Sequence, residues 1–514
     1  MKIKYIIYSA TLAAIVLFSS CKKDKFNINS NPDAVTDASV TPSVLLPGAQ
    51  QVTSAIIATD WTFLQFWMGY WARSGSYQSI TDIETYKFTN DFQNQVWFDL
   101  YSNANNYDVL INKAKAAGSG TYEAIGRIMK AHDFQILVDV YGNIPYTEAF
   151  QGTATPTPKY DKGIDIYTDL FKQLDTAISL LNDVDATALP VNPEIADADL
   201  VYKGNLTSWK KFANTLRLRM IMHFANGMGA TQTAPGIDIA SEVSKITADG
   251  YIGAGQSAHL NPGFTATKPN PFYRLFVTTE AGTTSQRDWV RGSEYAIGYY
   301  SVDGDPRIDQ FYVAPSGADQ TGIVFGTPAG DQDLIGSKLS TVRAPGYLPD
   351  GAASRAWIFT SVESLFLQAE AAERGIIPGV AADLLTSAIK ESFVWLGLTT
   401  SDADDYLAYN ATFPDVDYAA TGGGLITIMS QKWFALNGIA TYEIWTDYRR
   451  TDYVIGVAGG YDPGPPISVD PATTSTTIPV RLFYPQAEYN YNAENVAAAG
   501  AVNVFTGKIF WDLN

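Results

Sequence analysis

Residues 122–150 read YEAIGRIMKAHDFQILVDVYGNIPYTEAF. Apolar side chains fall at Tyr122, Ile125, Met129, Ile136, Leu137 and Val140, the three-and-four spacing of one helix face. The pattern runs to Gly142, which is free to take the left-handed turn after a last helical residue. Pro145 then forbids a return to regular helix, because it has no N–H to donate. The stretch predicts a long buried helix, a tight exit turn and an extended segment tied down by Tyr146. By its residues it is scaffold.

Working outward, the same periodicity recurs in pairs. Residues 91–117 form a helix, with Val96, Trp97, Tyr101, Tyr107, Leu110 and Ile111 as candidate core, and Gly118-Ser119-Gly120 ends it just before the Tyr122 helix. A second pair spans 163–226, with Ile166, Leu170, Leu174, Ile178 and Leu181 in register on its first helix and Thr207 as the N-cap of its second. Arg217 and Arg219 project from different faces of that second helix and are placed to hold loops by bonds to carboxylates or carbonyls. Further pairs cover 361–396 and 423–449, the first opened by a capping box at Thr360 and Glu363 and its leading helix stopped at Gly375. Such pairs cannot bury their faces alone and must stack. The fold class is therefore mostly all-α: a single large domain of tetratricopeptide-like helical pairs with long irregular insertions.

The principal insertion covers about residues 250–350, rich in Gly, Pro, Thr and aromatic residues, and irregular segments of that length are usually functional or a small subdomain. It carries Trp289, Arg291, Tyr295 and Tyr299. A second aromatic stretch, WTFLQFWMGYWARSGSYQ at 61–78, holds more rings than one helix face can bury, and Arg73–Tyr77 reads as an exposed loop. DGDPRID at 303–309 spaces its carboxylates like a calcium loop, but Pro306 and Arg307 interrupt it and no distal Glu closes it, so it reads as a turn. The C-terminal runs RLFYPQAEYNYNAENV and KIFWDLN read as extended, aromatic seals onto the body.

Composition bounds the function. The chain has 514 residues, 46% of them hydrophobic, with 30 Tyr, 25 Phe and 11 Trp. A formal charge of −18 excludes a basic nucleic-acid footprint and adhesion to an anionic membrane through a polybasic face. The three histidines, His132, His223 and His259, show no metal-ligand spacing, and the sequence points to no cofactor. The only cysteine, Cys21, follows a positively charged start, an apolar run from Tyr5 to Phe18 and the small pair Ser19-Ser20. Residues 1–20 thus read as a signal peptide, Cys21 as the lipidated first residue of a mature lipoprotein, residues 21–45 as a tether and 46–514 as the body. The lipid is then the only membrane anchor.

Several stretches together resemble the SusD/RagB family of outer-membrane nutrient-binding lipoproteins, and more narrowly its second SusD-like branch. They are Cys21 with Asn29-Ser30-Asn31-Pro32, Asp139–Ala149, Pro158-Lys159-Tyr160-Asp161, Tyr202–Asn205 with Trp209–Arg217, Asp305-Pro306-Arg307, Glu363–Ala372 and Phe483-Tyr484-Pro485. The resemblance implies a single helical domain with an irregular loop face, an oligosaccharide or sometimes a peptide as ligand, and partnership with a SusC-like, TonB-dependent outer-membrane transporter. It implies an outer-membrane position facing the cell exterior, to which Lys22-Lys23-Asp24-Lys25 adds only a loose match to the family's surface-export signal. The matched motifs are structural and carry no site with them.

The leading functional expectation is capture of a nutrient without chemistry. Sugars present apolar C–H faces ringed by hydroxyls, so a site for them wants flat aromatics and a few polar groups. From the 61–78 and 270–300 stretches the candidate contacts are Trp71, Arg73, Tyr77, Trp289, Arg291 and Tyr299. Two alternatives stand beside it. One is a structural lid of the transporter with little ligand affinity; the other is a glycoside hydrolase, which needs two carboxylates flanking a bond. No H-E-x-x-H, G-x-S-x-G or phosphate-loop motif is present, and the chain is read as non-enzymatic.

Overall fold

The computed structural model describes residues 40–185, 195–227, 236–278, 286–343, 351–420, 424–451, 456–457, 460–461 and 464–513. The signal peptide, Cys21 and most of the tether lie outside the described residues; the compact unit that holds the body begins at Pro42. In chain order the longer helices are α1 (Pro42–Thr59), α2 (Asn94–Ala117), α3 (Gly120–Tyr141), α4 (Gly163–Asp185), α5 (Leu206–Met222), α6 (Glu294–Val302), α7 (Ser361–Glu373), α8 (Ala381–Trp395), α9 (Thr400–Tyr409), α10 (Leu425–Ala435) and α11 (Thr441–Thr451).

The deciding stretch is α3, and it is buried on every side rather than on one face. It packs against α1, α2, α4 and α5. His132, Asp133, Gln135 and Asp139 are therefore buried along with the apolar stripe. Gly126 lets α2 come close: a Cβ there would stand 2.9 Å from Ile111 Cγ1. The helix stops at Gly142, whose N–H still donates to Val138 O at 2.7 Å. Gly142 has φ 78° and ψ −110°, so the exit uses glycine's positive φ without entering the left-handed helical well. Ile144-Pro145 then pairs antiparallel with Tyr160-Asp161. The Tyr146 hydroxyl donates to Asp169 Oδ2 at 2.5 Å, which ties the segment to α4.

The other helical pairs lie where their periodicity places them, and α5, α7 and α10 join the two halves of the stack. Buried charges pin these helices. Arg219 on α5 reaches Glu363 on α7 at 2.6 Å, and Arg450 on α11 holds Glu370 on α7 by two 2.7 Å bonds. Pairing of this kind offsets the cost of taking both ions out of water. Arg217 and Arg219 thus grip carboxylates, Arg217 through Glu242 and Asp175.

Three local expectations are corrected. Asn205, not Thr207, caps α5, accepting from Ser208 N at 2.9 Å; its side chain stands one position before the first helical residue, where the free N–H groups point. Thr360 caps α7, accepting from Glu363 N at 3.1 Å, but Glu363 turns to Arg219 instead of completing a reciprocal box. Residues 486–491 and 493–499 are helical rather than extended, although the C-terminal run does seal the body, with Trp511 fully buried. Among the described residues no helix is long and apolar enough to cross a membrane.

Candidate functional site

The two aromatic stretches flagged in the sequence meet in one small sheet. Its strands are β1 (Trp71–Arg73), β2 (Val290–Gly292), β3 (Tyr312–Val313) and β4 (Thr341–Val342), in the order β1-β2-β4-β3. Trp71 lies opposite Gly292 and Arg73 opposite Val290. The sheet was not legible as such, because its strands are only two or three residues long and their partners are far apart in sequence.

Pairing brings the candidate residues together but turns most of them inward. Trp71 is fully buried, its ring 5.2 Å from that of Phe276. Arg73 is buried too. Its Nε donates to Glu84 at 3.0 Å and its terminal nitrogens to the carbonyls of Ser74, Tyr77 and Thr327. Arg291 spends its guanidinium on the carbonyls of Gly336, Arg287 and Val290. All three sit inward, and the two arginines support the loops, because buried carbonyls demand their donors first. Trp289 is half-buried and stacks on Phe66 at 5.8 Å. Tyr77 is exposed, at the tip of the 73–77 turn. Tyr299 lines an open groove.

That groove encloses about 590 Å³. One wall is α6, where Tyr295, Gly298, Tyr299 and Val302 follow the three-and-four spacing of a single face. Ser293 caps the helix, accepting from Tyr295 N at 3.3 Å. Tyr295 and Tyr299 stand 5.0 Å apart at 70° and both rest on the buried ring of Trp433. The facing wall is Val324, Phe325, Phe413 and Pro466. Gly322 makes the join between the walls possible. Glu294 N donates to Ile323 O at 3.0 Å, and a Cβ at Gly322 would lie 2.4 Å from Glu294 Cα.

Asp303 and Asp415 also line the groove, and they are only 1% and 7% exposed, so they form its base. Asn410 Nδ2 donates to Asp303 O at 2.8 Å and Gln431 Nε2 to Asp415 O at 2.9 Å, which fixes both backbones. The two carboxyls lie close enough for each to act on the other's titration. Burial pushes Asp303 up to about 8, with Asp415 and Asp305 adding to the rise and Arg307 opposing it. Burial raises Asp415 as well. Such a pair holds one proton between two carboxylates and titrates as a unit.

The arrangement offers stacking faces above and a proton-sharing acid pair below. Rings with apolar faces and hydrogen-bonding edges fit it. Sequence reading placed Asp303 in a turn and passed over Phe413 and Asp415. The available signal was Thr399-x-x-Asp402, a capping box that opens α9 and ends in the turn that carries Phe413-Pro414-Asp415. The rest of DGDPRID is structural, since Arg307 grips Asp305 at 2.6 Å. Among the described residues no three carboxylate, imidazole or thiol groups converge on a metal position.

Residues 32–485 match the family model SusD-like_2, described as "Starch-binding associating with outer membrane". Solved structures share the fold. A chitin-binding protein is 24% identical with a TM-score of 0.71, covering 92% of this chain and 100% of its own. A SusD homolog from Bacteroides uniformis is 22% identical with a TM-score of 0.71, covering 91% and 99%. A chitin-binding SusD homolog from Flavobacterium johnsoniae is 24% identical with a TM-score of 0.67, covering 91% and 99%. No curated protein matches the chain.

Proposed function

The chain belongs to the SusD-like family of starch-binding, outer-membrane-associated proteins, and from that premise we propose that it captures an oligosaccharide at the cell surface and delivers it to a SusC-like, TonB-dependent transporter. The observation that carries this reading is the groove between α6 and the Phe413 turn, whose tyrosines and acid pair suit sugar rings and hydroxyls. Each stacked ring contributes about 1 kcal/mol, so Tyr295, Tyr299 and Phe413 must act together. The chitin-binding relatives supply a precedent for a glycan in this fold. Tyr77 and the half-buried Trp289 extend the reading as outer contacts for a longer chain.

The role is binding without catalysis. A retaining glycosidase holds its carboxyls about 5 Å apart and an inverting one farther. Asp303 and Asp415 act instead as one proton-sharing pair at the base of the groove. The protein is anchored by a lipid on Cys21 and faces outward. Cys21→Ala is expected to shift the protein from the membrane to the soluble fraction; retention in the membrane would refute the anchor.

Calorimetric titration of the purified protein against a panel of oligosaccharides and peptides tests the capture. Saturable binding of one glycan class is the expected result. Binding of peptides alone would replace the ligand class. Silence across the panel from folded protein would leave the lid role, with ligand choice in the barrel.

A further inference from the structure

We propose that the groove selects oligosaccharides bearing free amines, drawing the ammonium of a 2-amino sugar onto the Asp303–Asp415 pair from the groove side while the sugar rings lie on Tyr295, Tyr299 and Phe413. This rests on the capture reading above and narrows its ligand.

Three observations lead there. First, the groove is one-signed: among the described residues that line it are Glu294, Asp303 and Asp415, and no lysine, arginine or histidine. A neutral glycan asks for a mixture of donors and acceptors around its hydroxyls, and this lining supplies acceptors in excess. Second, Asp303 Oδ2 is buried and finds no hydrogen-bond partner apart from the facing Asp415 carboxyl. It is a buried acceptor at the base of an open groove, and a donor brought in by the ligand would satisfy it. Third, the walls are tyrosine and phenylalanine, whose ring faces attract a cation as well as a C–H surface. Flat aromatic walls over an acid base fit a ring carrying an ammonium better than a long flexible lysine.

The groups facing the pair are Asp305, Arg307 and Tyr406, and Arg307 is taken by Asp305. Among the described residues no free cation faces the pair, so the pair keeps a proton. An arriving ammonium replaces that proton, which leaves to solvent, so the site's charge changes by the ligand's charge less one proton and no other group is consumed.

The test is calorimetry of the purified protein near pH 6 with short oligomers of glucosamine and of galactosamine, each beside its N-acetylated form, and with oligolysine. At least one amine oligomer should bind about tenfold or more tighter than its N-acetylated counterpart. Repeating the titration in buffers of different ionisation enthalpy should show proton release on binding by the unaltered protein. Asp303→Asn and Asp415→Asn should bring the amine-to-acetyl ratio to within about twofold and abolish the proton release. Equal affinity for amine and acetyl forms, with clear binding of both, overturns amine selection and leaves glycan capture standing. Tighter binding of oligolysine than of any amino sugar overturns the sugar in favour of a basic peptide. Binding of none overturns this inference and leaves the capture reading to the broader panel.

Discussion

The indole Nε1 of Trp511 donates to Asp139 Oδ1 at 2.7 Å, so the last residues of the chain are bonded to the helix at its centre. Asp139 also accepts from the Tyr167 hydroxyl and from Gln135, and its Oδ2 lies 3.3 Å from His223 Nδ1. One buried carboxylate thus joins α3, α4, α5 and the C-terminus. Asp139→Ala leaves the His223 imidazolium without one counter-charge and the indole N–H without an acceptor. The expected loss is about 3–5 kcal/mol in denaturant unfolding. A loss below about 1 kcal/mol would mean that the C-terminal seal folds independently of α3.

His223 itself carries a pH signature. Burial alone would lower its affinity for a proton, but Asp139 and Glu443 outweigh burial and raise it to about 9. A folded-state value above the unfolded one means stability that is complete below about 6.5 and lost as pH rises through about 9. The contribution is about 3 kcal/mol at full strength. The stability gap between the protein and its His223→Gln variant should therefore be wide at pH 6, shrink from about pH 6.5 and close above about pH 9. A gap that stays constant across that range would place the imidazole outside the charge network.

Legibility followed the length of the regular segments. α3 announced itself because its apolar spacing and the Gly142–Pro145 exit are local facts, and local facts are what a sequence states. Its burial on all sides was not legible: His132, Asp133, Gln135 and Asp139 look like a polar face until α4 and α5 are laid against them. The orientation of the candidate contacts was not legible for a related reason. Trp71, Arg73 and Arg291 sit in an aromatic, loop-like context, yet two-residue and three-residue strands from distant parts of the chain pair and draw them inward. Asp303 and Asp415 lie 112 positions apart, and only the packing of α6 against the turn after α9 brings their carboxyls into one base. Which side chains face out depends on pairing that no window of sequence contains.

The inward and outward residues should separate by experiment. Trp71→Ala empties a fully buried site and is expected to cost about 3–5 kcal/mol of stability. Tyr299→Ala removes a half-buried ring over the groove and should leave the melting temperature nearly unchanged while weakening glycan binding by about fivefold. Thermal melts and calorimetry on both variants check the pair. A stable Trp71→Ala protein with selectively weakened binding would return Trp71 to the recognition surface.

The groove depends on a residue that does not line it, Gly322. Gly322 sits where the segment before Ile323 crosses the start of α6, and Ser293 bridges to Ile323 there. An added Cβ would meet backbone atoms, Glu294 Cα at 2.4 Å and Glu294 N at 2.5 Å, and backbone held by the Glu294–Ile323 hydrogen bond cannot swing aside as a side chain would. Gly322→Ala must therefore part the two strands of chain, moving α6 and its tyrosines away from Phe325 and Phe413. The expected stability loss is about 1–3 kcal/mol, typical of forced overpacking. Affinity should fall more than Tyr299→Ala alone causes, because the whole wall shifts. Calorimetry and melting of the two single variants and the double variant decide the point. If the displacement of α6 is what weakens binding, the two losses will be sub-additive, since a displaced Tyr299 has already lost its contact. Full additivity would mean that Gly322→Ala acts elsewhere and that the groove tolerates a separated wall.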